Sequence, residues 1–176
     1  MESTKSGTDE RDYCVYSVLH QIWLKEASKP HEKDPWFCSG KSWATADNWL
    51  AHGRKVRILF RAKLNDDQEG EPVCSYEAEL IEINLREKDD KRPSEDILWL
   101  QHEYYLRESG QKGETEFQRH EIKEFENART YYKVHGMHMR NEVFPITALR
   151  KLKNNKPLAA NFKYTYALCW YPTENI

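Results

Sequence analysis

The sequence predicts an α+β domain, a mixed β-sheet curled into a pseudo-barrel and flanked by two or three short helices. Two observations carry this prediction. Segments with apolar residues at every second position outnumber those with helical spacing, and the helical ones are short. With 176 residues, 39% of them hydrophobic, the chain suits one core, whereas two domains would each have a thin one. The expected organisation is a disordered lead over 1–11 and a single domain over 12–176.

The elements follow from the chain in order. In Asp12–Trp23, Tyr13, Val15, Ser17 and Leu19 alternate with Cys14, Tyr16 and Val18. Both sets are apolar, as in a strand buried on both faces. Lys25–Gly40, with Pro30, Pro35 and Gly40, reads as a loop. Ser42 or Thr45 is placed to cap a short helix that runs to about Ala51 and is closed by Gly53. Lys55–Ala62 is a strand, with Val56, Ile58 and Phe60 alternating against Arg57, Leu59 and Arg61. An acidic turn at 65–70 leads into a second strand, Val73–Leu85, which turns Tyr76, Ala78, Leu80, Ile81 and Ile83 to the core.

Arg86–Ser94 reads as a charged linker. Ile97–Leu106 and Thr130–Met139 read as further strands, separated by Arg107–Asn127 as a loop or poor helix. Pro145–Leu152 reads as a short helix, with Pro in its first turn and basic residues in its last. Asn154 and Asn155 end it, and Asn161–Tyr171 is the final strand. There is no internal repeat.

The net charge of −2 conceals an asymmetry. Residues 127–173 hold eight Lys or Arg against the single acid Glu142, a local charge of +7, so the remainder carries −9. Clustered basic charge is the footprint of phosphate binding, and the ordinary alternative is a solvated face. Arg150, Lys151, Lys153 and Lys156 are the candidate phosphate ligands, with Arg54, Lys55, Arg57 and Arg61 as a second edge. Six Trp and ten Tyr add flat surfaces that serve a core or stack on bases.

Other classes lose ground. No run of eighteen apolar residues predicts a membrane helix, and the polar start Met1–Asp12 predicts no signal peptide. The four cysteines never form a CxxC pair, so neither a structural zinc site nor a disulfide framework is implied. The expected compartment is intracellular, cytoplasmic or nuclear. P-loop, GxSxG and HExxH motifs are absent. His135 and His138, three apart on an expected strand, should point to opposite faces, which argues against a shared metal. His102 and His120 have acids nearby, as most histidines of soluble proteins do. The expectation is a binding domain with neither cofactor nor metal. The alternatives are a small nuclease using histidines and a protein-interaction module using the acidic turn and the 86–127 segment.

One stretch carries a resemblance. Trp43-Ala44-Thr45-Ala46-Asp47-Asn48-Trp49-Leu50-Ala51, followed by Val56-Arg57-Ile58-Leu59-Phe60, resembles the EVE domains, which group with YTH and ASCH domains in the PUA-like superfamily. EVE domains show a Trp, an Asn five residues later beside an aromatic, an Ala, and then a Val-Leu-Phe strand. Trp43-Ala44-Thr45 is also similar to the Trp-Ser-Thr stretch of YTH domains, and Trp99 falls where their second pocket tryptophan lies beyond the hairpin.

The resemblance implies a reader of a modified, methylated base in RNA or DNA, working with an effector protein or domain. The base pocket it implies is built from Trp43, Thr45, Asn48 and Trp99, with Trp36 and Trp49 as rival walls and Tyr104 or Tyr105 at the rim. Asn48 would bond the base edge. The chain departs from the EVE pattern in three places. Gly53-Arg54-Lys55 stands where a Gly-Asp is usual, the helix after Asn48 is shorter, and 87–127 has no counterpart.

Overall fold

A computed structural model describes residues 12–65, 68–69, 71–86 and 123–172. The expected lead over 1–11, the linker beyond Arg86, the strand Ile97–Leu106 and most of Arg107–Asn127 lie outside the described residues. The elements are β1 (Tyr13–His20), α1 (Gln21–Ala27), β2 (Trp36–Ser39), α2 (Ala44–Ala51), β3 (Val56–Asn65), β4 (Gln68–Glu69) and β5 (Val73–Leu85), then β6 (Thr130–Pro145), β7 (Arg150–Lys151) and β8 (Tyr166–Trp170). A helical turn at 123–126 precedes β6, and a 3-10 turn, Ile146–Ala148, follows it.

These strands form one mixed sheet in the order β2-β6-β5-β3-β1-β8-β7, with β4 added on β3. The α+β class with short helices is therefore as the sequence predicts. The sheet does not close into a barrel, because β2 and β7 stand at the two ends of its path. β1 and β3 run parallel and every other pair is antiparallel. A parallel pair needs a long crossover, and α1, β2 and α2 supply it.

The sheet is covered on both faces. Val15, Ile58, Phe60, Ala78, Leu80 and Val134 meet Trp23 and Leu24 of α1 and Ala46 and Trp49 of α2. On the opposite face Cys14, Tyr16, Leu59 and Cys169 pack against Ile146, Leu149 and Leu158. This explains why β1 is apolar at successive positions. β3 alternates as expected, and the same alternation turns Arg57 and Arg61 to the face of Leu59. On β5, Tyr76, Ala78 and Leu80 are buried and Ile83 packs against the core, but Ile81 faces solvent at 37% exposure.

Four local readings are corrected. The strand predicted over Asp12–Trp23 ends at His20, whose Nδ1 accepts a hydrogen bond from Ile22 N at 3.2 Å and opens α1. Trp23 therefore lies on a helix. The predicted loop Lys25–Gly40 contains β2, four residues paired with β6. Trp43, rather than Ser42 or Thr45, occupies the N-cap of α2, with no side-chain cap bond, while Gly53 closes the helix at φ 76° as expected. Pro145–Leu152 makes only a three-residue 3-10 turn before extending into β7.

β6 also carries a bulge. Its partners step from Glu79↔His135 to Glu77↔His138, so two residues of β6 oppose one of β5 around Gly136, which sits at φ 71°. Glu77 and Glu79 share a face, and so His135 and His138 do too, contrary to simple alternation. Among the described residues, no group of three or more His, Cys, Asp or Glu is placed to hold a metal ion.

His135 Nδ1 lies 2.9 Å from Asp34 Oδ1 and ties the segment before β2 to β6. The hydrogen bond and charge of Asp34 raise the His135 pKa above its ordinary 6.5. A raised pKa means that the contact stabilises fully at acid pH and is lost as pH rises through the folded value. Melting followed from pH 6 to 8 should show a slight alkaline decline that His135→Asn flattens. No helix among the described residues is long and apolar enough to cross a membrane.

Candidate nucleic-acid interface

The aromatic residues named from sequence do not converge on one opening. Trp43 is fully buried. Its ring stacks on Tyr132, with centroids 4.1 Å apart at 18°, and on Tyr166, at 4.8 Å and 20°. Its backbone N–H donates to Thr130 Oγ1 at 3.0 Å, and that hydroxyl donates to Lys41 O at 2.7 Å. Burial pushes the Tyr132 and Tyr166 phenols up in pKa. Among the described residues the enclosed Trp43 Nε1 has no hydrogen-bond partner, whereas the Tyr132 hydroxyl has Ser17 beside it.

The helical spacing explains the disposition of the rest. Ala46 and Trp49 follow Trp43 at intervals of three and face the core. Thr45 and Asn48 face solvent on the outer side of α2, away from the Trp43 ring. Trp49 is buried with its ring 4.6 Å from Tyr13. Trp36 is half-buried on the edge strand β2, with Lys133 Nζ 5.8 Å above it. Trp99, Tyr104 and Tyr105 lie outside the described residues.

The basic residues fall into two groups. Arg150 and Lys151 form β7, and Lys153 and Lys156 sit on the tight turn that follows. That turn is held by Asn155 N to Lys151 O at 2.8 Å and Lys151 N to Lys156 O at 3.0 Å. Asn155 takes φ 58°, which Asn tolerates better than most residues, and its carbonyl accepts from Arg150 Nη1 at 2.9 Å. The turn thus displays Arg150, Lys153 and Lys156 outward.

Lys151 connects this turn to a groove. Its Nζ lies 5.7 Å from the Phe162 ring, and Phe162 lines a groove with Val18, Arg61, Ala62, Lys63, Lys163, Tyr164 and Thr165. The groove lies where β1 and β3 approach their C-terminal ends and the chain enters β8. It holds three cations and no carboxylate among its described lining residues. Tyr164 is 62% exposed, and Lys41 Nζ stands 5.7 Å from its ring. Lys151, Phe162, Lys163, Tyr164 and Lys41 thus form one track of cations and rings.

The second group stays apart. Arg54 stacks on Tyr13 with Cζ 3.9 Å from the ring centre, near the start of β3. Arg57 stacks on Tyr171 at 4.5 Å and lies 3.9 Å from Glu77 Oε2. Its charge is partly answered within the protein. Arg61, named with that edge, belongs instead to the groove, where it is buried and donates from Nε to Glu71 O at 3.2 Å.

Lys41, Lys63, Phe162 and Tyr164 were not among the residues the sequence singled out. Their one signal was the alternation Phe162-Lys163-Tyr164, which an expected strand concealed. The chain matches no family model, no curated protein and no solved structure among those compared.

Proposed function

We propose that this protein is a nucleic-acid-binding module without catalytic activity of its own, in keeping with its resemblance to EVE and YTH domains. One observation carries the reading. The track from the β7 turn through Phe162, Lys163 and Tyr164 to Lys41 alternates positive charge with aromatic rings and has no carboxylate among the described residues lining its groove. Phosphates need the cations, and bases need the rings.

Modified-base recognition at Trp43 is a second reading, favoured by the enclosed Trp43 Nε1, which has no hydrogen-bond partner among the described residues. It is a donor that a base edge would satisfy. This reading requires Tyr166, which is half-buried, to leave the Trp43 face. Burial of one methyl group contributes about 0.8 kcal/mol, roughly fourfold in affinity, so a larger ratio would indicate a closed cage.

A retardation panel at low salt tests both readings. It would hold single strands, duplexes, and twins differing by one methylated base. Retardation of the single strands is the expected result, and a preference for the methylated twin would support the Trp43 reading. No retardation of any member would leave a protein-interaction module as the better account.

A further inference from the structure

We infer that the groove at Tyr164 holds a single unpaired base, which makes single-stranded nucleic acid the preferred ligand; the inference rests on the nucleic-acid reading above. Tyr164 is the most exposed ring among the described large hydrophobic residues that a nucleotide's π-face can use, at 62%. It is not a loose side chain. Its ring meets Phe162 edge to face, with centroids 5.5 Å apart at 67°. Phe162 in turn meets the fully buried Tyr16 at 5.9 Å and 72°. A chain of rings therefore anchors the exposed platform to the apolar face of β1.

The surroundings of Tyr164 specify the ligand further. Lys63 and Lys163 line the same groove, with the buried Arg61 in its wall, and Lys41 stands over the ring, so a base stacked on Tyr164 has its flanking phosphates among three lysines. A paired base has both faces covered by its neighbours and must be extruded before it can stack on a side chain. A single strand offers its faces without that cost. A free acidic peptide would satisfy the cations but would leave the Tyr164 face unused.

The site is tested with two oligonucleotides of equal length and charge, oligothymidylate and its abasic counterpart, measured by fluorescence anisotropy. Stacking one base should make the wild-type protein bind the thymidylate about 5- to 150-fold more tightly. Tyr164→Ala should abolish that ratio while leaving the salt dependence of both ligands unchanged, and Tyr164→Phe should restore it. Equal wild-type affinity for the two would overturn the base site and leave backbone binding standing. A ratio that survives Tyr164→Ala would overturn it as well. Binding of neither oligonucleotide would remove the nucleic-acid reading, and this inference with it.

Discussion

Trp43→Ala should destabilise the protein by about 3–5 kcal/mol, the usual cost of removing a fully buried large aromatic side chain. The expectation follows from position. Trp43 has no exposed surface, stacks on Tyr132 and Tyr166, and stands where α2 begins. Its loss would leave a cavity between Tyr132 of β6 and Tyr166 of β8, strands that are not neighbours in the sheet. For a chain of this length the melting temperature should fall by roughly 6–20 °C. Trp43→Phe keeps one ring in the stack and should cost much less. An alanine variant that melts like the wild type would mean that Trp43 contributes little to the core and is available to a ligand.

Glu77→Ala should cost about 2–3 kcal/mol, a little under the figure for breaking a wholly enclosed ion pair. Glu77 is buried on β5, and its Oε1 accepts from the Tyr171 hydroxyl at 2.7 Å and from Arg140 Nη1. Arg140 Nη1 also donates to Tyr171 at 3.1 Å, and Arg57 Nη1 lies 3.9 Å from Glu77 Oε2. Removing the carboxylate leaves two guanidinium groups facing each other. Their side chains are 36% and 24% exposed, so water relieves part of the penalty. The network ties β3, β5 and β6 to Tyr171 just beyond β8, whose backbone N separately donates to Asp12 O at 2.6 Å. Chemical denaturation of Glu77→Ala should show the loss, and Glu77→Asp, too short to reach both arginines, should recover only part of it. Unchanged stability would mean that the arginines find other acceptors.

The sequence made the β3–β5 hairpin legible because a period-two pattern on either side of an acidic turn has few other solutions. β1 was legible for the same reason, since both of its faces are apolar. Its end was not, because Ile22 and Trp23 continue the apolar run while the backbone turns helical at Gln21. A seven-residue helix has little intrinsic stability, and burial of Trp23 and Leu24 against the sheet holds it. β2 carries no readable pattern in four residues between Pro35 and Gly40, and pairing with β6 defines it.

The β6 bulge at Gly136 turns His138 to the face of His135, which no alternation count anticipates. The same limit applies to the candidate site. An excess of cations is visible in composition, but the face each one occupies is not. Arg54 and Arg57 turned to Tyr13 and Tyr171, whereas Lys151 reached Phe162. A tryptophan also reads alike in a core and in a pocket. Trp43 was placed inward by Tyr132 and Tyr166, which come from strands far along the chain.

The central claim, that the 150–164 segment and its neighbours hold a nucleic-acid backbone, is tested most directly by the salt dependence of single-strand binding. Fluorescence anisotropy across a salt series should give wild-type affinity that falls steeply, with a log–log slope of about −0.7 per phosphate contact. Replacing Lys151 and Lys153 together with alanine should weaken binding to all sequences alike and flatten that slope by about 1.4. A wild-type affinity indifferent to salt, or a double variant with the wild-type slope, would contradict the assignment of the phosphate track to this face.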